Sequence, residues 1–223
     1  MGTEKHSTAD IFETLRDRIC LLDYPPGTVL REIELAKEFG ISRTPIRAVL
    51  QRLEHGALVT VRDGVGTIVT DLNKTELNDI YEMRLKMAEL IGVVSPREIT
   101  PDDEATAARL LKRANRLVDA YSASEYWQIN HAQHALIADL IGNSVLREIW
   151  DQLYFRSARF WYQEASRASI GVAQDLVAEL GEVARALRER DAMAVGYIQR
   201  NFIAFGFARL KSALYPDPDQ PIS

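Results

Sequence analysis

Apolar residues recur at helical spacing along most of this chain, and the exceptions fall in one short window. Ile11, Leu15, Ile19 and Leu22 predict a first helix over about 8–22, stopped by Tyr24-Pro25-Pro26-Gly27. Leu35 and Phe39 predict a second over about 32–39, and Gly40 turns the chain into a third. In that third helix Ile46, Val49, Leu50 and Leu53 share an apolar face, while Arg43, Arg47 and Gln51, four apart, share a polar one. Ser42 can cap it with its hydroxyl, and Pro45 falls in the first turn, where a missing N–H costs little. Leu30 and Ile41 complete a small core. The period then changes. Residues 58–62 and 67–70 read as β runs joined by Asp63-Gly64-Val65-Gly66, which is hairpin chemistry. From residue 73 onward the helical period returns, and no further strand is predicted. Six helices follow, over about 74–94, 101–121, 124–141, 144–167, 174–190 and 192–214. Asn73 with Glu76 resembles a capping pair, Thr100-Pro101-Asp102-Asp103 caps the second of these helices, and the tail YPDPDQPIS is too proline-rich to extend the last.

The fold class is therefore mainly α. An N-terminal winged helix-turn-helix over residues 8–71 precedes a C-terminal antiparallel six-helix bundle over 73–214, with residues 1–7 as a loose tail. At 47% hydrophobic and 26% charged residues the composition is that of ordinary globular domains. No apolar run reaches the ~20 residues of a membrane span, and MGTEKHSTAD does not read as a leader. Cys20 is the only cysteine and lies in an apolar stripe, so it reads as a small core residue. These features predict a cytoplasmic protein without membrane association.

Charge narrows the picture further. The net charge is −5, and Met1–Leu72 carries nine Lys/Arg against eleven Asp/Glu. Nucleic-acid binding must then rest on a local cluster, Arg43, Arg47, Arg52 and Arg62, rather than on total charge. Two arginines on a helix are more often a solvated face than a DNA contact. The longer string weighs the other way. PPGTVLREIELAKEFGISRTPIRAVLQRLEHGAL with its glycine-tipped wing closely resembles the DNA-binding domain of the GntR family of bacterial transcription regulators, from about Thr8 to Asp71. The resemblance implies operator contacts from Arg43 and Arg47, supported by Ser42, Thr44, Gln51, Arg62 and Gly64. Arg31 is placed to reach a phosphate, or to stand idle beside its turn.

YEMRL at 81–85, NHAQHALIADLIGN at 130–143 and VARALRERDAMA at 183–194 resemble the FadR subfamily, in its shorter VanR-like form of the ligand-binding (FCD) domain. That domain senses a small molecule, often an organic acid, and many members hold a metal through an Asp, a His four residues on, and one His from each of the last two helices. Here those positions fall at Asn130, His134, Leu180 and Asn201 or Phe202, so one ligand of four is kept. Trp127, Asn130, His134, Ile137 and Ile141 share a stripe, which places Asn130 and His134 inward independently of the resemblance. One imidazole and an amide make a poor transition-metal site, although His131 and His134 could pinch an ion. No metal and no cofactor is expected. The expected effector pocket is apolar, walled by Trp127, Leu180 and Phe202, with Asn130, His134, Asn201 and Arg84 as its polar groups. His134 reads equally as a core imidazole bonded to a neighbour. Arg84 shares a stripe with Ile80, Met87 and Ile91 and needs an anion, either a protein carboxylate such as Glu89 or Glu179 or a ligand carboxylate. Arg156, Arg159 and Tyr197 are further residues within possible reach.

The function implied is an effector-responsive transcription regulator, a repressor by default, acting as a homodimer on an inverted-repeat operator in double-stranded DNA. A small helical metalloenzyme or hydrolase is the rival class. It would need a nucleophile elbow, a phosphate loop or a full ligand set, and the sequence offers none of these. A DNA-binding scaffold with a side-chain-filled pocket is a third reading.

Overall fold

The computed structural model describes residues 7–71, 74–167 and 170–214. Its elements are α1 (Thr8–Cys20), β1 (Val29–Leu30), α2 (Glu32–Glu38), α3 (Arg43–His55), β2 (Val59–Arg62), β3 (Gly66–Val69), α4 (Lys74–Leu90), α5 (Pro101–Asp119), α6 (Ala123–Leu140), α7 (Ser144–Arg167), α8 (Ile170–Arg188) and α9 (Ala192–Leu214). They divide between two compact units. One comprises Met1–Leu77 with Tyr154–Arg159, the other Asn78–Leu153 with Phe160–Ser223. The expected Asn73 cap, the junction at 72–73, the loose tail before Ser7 and the segment 215–223 lie outside the described residues.

In the first unit α1 opens on a capping box, in which Ser7 Oγ accepts from the Asp10 amide and Asp10 accepts from the Ser7 amide. The helix stops two residues earlier than its periodicity predicts. Leu22 has φ +65° and is only half-buried, so the stripe ends at Ile19. Ile11, Leu15 and Ile19 pack with Leu35, Ile46, Leu50, Leu53 and Val69 in one core. The expected two-stranded hairpin is a three-stranded antiparallel sheet in the order β1-β3-β2, with Val29 opposite Ile68 and Val59 opposite Val69. Two residues after Pro-Pro-Gly are too few to display a period, which is why β1 escapes a sequence reading. Ser42 takes N-cap geometry on α3, yet its hydroxyl makes no capping bond. Pro45 occupies the third helical position, where the amide that would donate to the cap is missing. Cys20 is buried with its Sγ 3.7 Å from the Phe155 carbonyl, and burial pushes its thiol up to about 12.

Among its described residues the second unit is built of helices, with one isolated antiparallel bridge between Pro96 and Ile141. α5 is capped by Thr100 and Asp103, and Arg97 closes both N–H forks onto the Asp103 carboxylate at 2.7 and 2.8 Å. α5 packs along α8 and α6, and α8 packs on α9. Ile129, Ile137, Leu140, Leu176, Leu180 and Leu187 fill the space between them. α4 ends at Leu90 rather than near 94, just before Gly92, and α8 begins at Ile170, earlier than its apolar period predicts. α4 and α9 cross closely. A Cβ on Gly92 would stand 2.3 Å from the Met193 backbone, and one on Gly196 would stand 2.6 Å from the Ala88 carbonyl oxygen. Both obstacles are main-chain atoms, so neither can rotate aside.

Gly196→Ala should therefore force α4 and α9 apart and lower stability by roughly 1–3 kcal/mol, the usual cost of overpacking. Thermal unfolding of purified protein checks this; an unchanged midpoint would mean the crossing is looser than described.

Candidate functional site

α3 buries Ile46, Val49, Leu50 and Leu53, so its opposite face is exposed by construction, with Arg43, Thr44, Arg47 and Gln51 on it. The two arginines are not independent. Glu32, at the start of α2, accepts from Arg43 at 3.0 Å through Oε2 and from Arg47 at 3.0 Å through both carboxylate oxygens. The paired guanidinium groups hold the Glu32 carboxyl down at about 2. A carboxylate thus draws two cations into one array and leaves their remaining N–H groups for a partner. Glu32 was absent from the sequence-based set, because an acid eleven residues upstream of Arg43 shares no helical period with it. Glu54 ties the wing to the same helix by accepting from the Val61 amide at 2.9 Å. Helix and wing border a groove of about 690 Å³ whose lining includes Arg31, Glu32, Arg43, Arg47, Gln51 and Val65.

The other expected contacts distribute as follows. Ser42 is exposed at the helix start, Gly64 lies at the wing tip with φ +75°, and Arg62 is exposed at the end of β2 opposite Gly66. Arg31 pairs with Glu34 at 3.1 Å. Arg52 does not join the cluster. Its guanidinium lies 3.7 Å from the centroid of Phe12, which turns it toward α1.

In the bundle, Trp127, His134, Leu180 and Arg84 are buried, Asn130 and Phe202 are half-buried, and Asn201 is exposed. Asn201 is a correction to the expected pocket. The buried face of α9 runs through Val195, Ile198 and Gln199, and Asn201 falls off it, accepting instead from Arg200 at 3.2 Å. Phe202 packs beside the core and sets its ring edge-on to Phe205. Trp127 stacks on His131 and Trp161 at 5.4 and 5.3 Å. His134 Nε2 lies 2.7 Å from Asp151 Oδ1, and its ring stacks on Trp150. Burial lowers its pKa to about 4, so the neutral imidazole donates its Nε2–H to Asp151. Among the described residues no three His, Cys, Asp or Glu side chains gather as a metal site. Arg159 donates to the Thr70 carbonyl, Arg156 lies near Glu76, and Tyr197 is half exposed, so none of the three faces the bundle interior.

A second polar cluster was missed by the sequence reading. Glu179 Oε1 accepts from Gln133 Nε2 at 2.6 Å and from Gln199 Nε2 at 2.7 Å, joining α8, α6 and α9. Burial pushes the Glu179 carboxyl up to about 7, with the charge of Asp175 acting in the same sense, against the bonds from Gln199 and Gln133 and the charge of Arg84. Glu89, the other carboxylate expected for Arg84, accepts from Lys86 and Arg200.

Comparison with known proteins brings the two halves together. Residues 7–69 match the family described as "Bacterial regulatory proteins, gntR family", and residues 79–204 match the "FCD domain". The HTH-type transcriptional regulator YdhC of Bacillus subtilis is 25% identical over 131 residues, 58% of each chain. The gluconate operon transcriptional repressor of Bacillus licheniformis is 29% identical over 143 residues, 62% of this chain and 57% of its own. The chain thus spans under six-tenths of the length of these two relatives. The solved structure of E. coli McbR/YncC has the same fold, with a TM-score of 0.78 at 19% identity over 93% of this chain and 98% of that one.

The raised Glu179 carboxyl makes a stability prediction. Its folded pKa of about 7 exceeds the ordinary 4.5, so its contribution is complete below pH 4.5 and is lost as pH rises through 7. Glu179→Gln should remove a decline on the order of 1–3 kcal/mol across that window. Urea unfolding at a series of pH values reads it, and a variant that declines as steeply as the natural chain would clear Glu179 of the effect.

Proposed function

The chain belongs to the GntR family of bacterial regulatory proteins, with an FCD domain behind its helix-turn-helix, and from that premise we propose how this transcription regulator works. A winged helix-turn-helix over residues 8–71 reads double-stranded operator DNA, and a helical domain over 73–214 binds a small organic acid effector. Two copies engage two half-sites of an inverted repeat, in the cytoplasm, and repression is the default outcome. The name of the gluconate operon relative supports that sign. The carrying observation is the array of Arg43 and Arg47 on Glu32, a pair of forked donors on the exposed face of α3. Forked guanidinium groups suit guanine edges in the major groove, and Ser42, Thr44, Gln51, Arg31, Arg62 and Gly64 lie where a backbone would pass. Effector binding would act by favouring one of two arrangements of the dimer.

The effector site is proposed to work without a transition metal. His134 Nε2 is engaged by Asp151, and Leu180, fully buried, offers no lone pair where the resembled pattern has a His. Arg84, Trp127, Asn130, Leu180 and Phe202 then supply orientation and apolar burial.

Two experiments test these readings. In fluorescence anisotropy with an operator selected from random duplexes, Arg43→Ala or Arg47→Ala should cost roughly 1–3 kcal/mol and relax base preference, with two chains bound per operator. Natural affinity in both variants, or one chain per operator, contradicts the interface. Elemental analysis of untagged protein should find no stoichiometric transition metal; about one ion per chain that disappears with His134→Ala would end the metal-free reading.

A further inference from the structure

Among the described residues Gln133 is left with a part of its hydrogen-bonding capacity unused, and the two amides that reach Glu179 share one of its carboxylate oxygens. Gln133 is 2% exposed and Gln199 6%, so the cluster lies inside the second unit. The carboxylate sets the orientation of both amides. Each turns its NH2 toward Glu179 Oε1, which turns its own carbonyl oxygen away. The Gln133 carbonyl oxygen so displaced is buried and has no hydrogen-bond partner among the described residues. Both bonds to Glu179 use the same oxygen, Oε1, and both donors are neutral. Arg209 on α9 is paired with Asp175 on α8. A buried carboxylate with only amide donors is held less well than one with a charged donor, and a buried amide oxygen without a donor costs stability outright. The cluster thus holds a buried amide oxygen that lacks a donor and a carboxyl group reached only by neutral amides, and a group with several N–H donors and a positive charge would serve both.

We propose that Gln133, Glu179 and Gln199 form a subsite for a protonated amine, so that the effector of this domain carries an ammonium group as well as any acidic end. The ammonium would donate to Glu179 Oε2 and to the Gln133 carbonyl oxygen, and Gln199 would hold the carboxylate in place from α9. An ammonium carries three donors and no acceptor, which matches what the cluster lacks. Arg84, which lies close enough to influence Glu179 and sits on the stripe predicted to face inward, would serve the acidic end of the same molecule. The ligand class is then an amino acid or a similar amine-bearing acid. This inference rests on the reading of the second unit as the effector domain.

The test uses full-length protein and three matched probes: n-butylamine, 4-aminobutyrate and butyrate. Molecules of so few atoms bind on the order of 1 mM when they fit, a range that calorimetry at high protein concentration reaches. Both amines should bind, and butyrate should bind at least about tenfold more weakly. Glu179→Gln keeps the shape and removes the charge, and it should cost the amines about ten- to a hundredfold while leaving butyrate unchanged. Circular dichroism of the variant confirms its helical content. Equal binding of butyrate and 4-aminobutyrate, absence of amine binding to about 10 mM, or unaltered amine binding by Glu179→Gln would each overturn the subsite. Operator binding measured alongside separates the two levels. Intact operator binding with failed amine binding removes only the subsite, whereas amine binding that never alters operator affinity keeps the subsite and removes the effector role.

Discussion

Everything on the first unit's outer face depends on the inner face of α3. Ile46, Val49, Leu50 and Leu53 are each at most 4% exposed, and burying four such side chains is worth about 1.5–3 kcal/mol apiece. That burial fixes the rotation of the helix about its own axis. Arg43 and Arg47 are carried outward by default, and only then can Glu32 reach both. The hairpin answers to the same helix, because Leu58 and Val59 are buried in its core and Glu54 holds the Val61 amide. An exposed pair of arginines on a chain of net negative charge is thus made by geometry and not by composition.

What could be read from the sequence was whatever repeats. The faces of α1, α3 and α9 follow from apolar spacing, and α9 runs from Ala192 to Leu214 as the period predicts. Features made by two distant segments were not legible. β1 is two residues long and has meaning only opposite β3. Glu32 becomes informative only when α2 is laid against α3, and Glu179 only when α6 and α9 bring their glutamines to it. Asn201 failed for a different reason. It was placed by aligning a motif, while the neighbouring period through Val195, Ile198 and Gln199 already put it on the outer side. Local periodicity and a borrowed position disagreed there, and the packing followed the periodicity.

The bundle interior differs in two ways from the metal-holding pattern that the sequence resemblance implies. Leu180 joins the hydrophobic core, and the polar contacts fall one residue earlier, at Glu179. Consecutive positions on a helix point about 100° apart. The shift therefore exchanges one set of facing helices for another and draws in Gln133 and Gln199, while His134 turns to Asp151.

The first unit is not one continuous piece of chain. It takes in Tyr154–Arg159 from the middle of α7, where Phe155 lies under Arg16 at 4.1 Å and beside Cys20, and Arg159 donates to the carbonyl of Thr70 and, at 3.2 Å, to its hydroxyl. A fragment ending at Asp71 would contain every residue of the helix-turn-helix and wing yet lack these partners. Its Cys20 thiol, deeply buried in the whole chain, would lose that cover and move toward the reactivity of an ordinary exposed cysteine. Sequence boundaries and physical boundaries differ here, and a fragment chosen by the former would be chemically more fragile than the protein it was cut from.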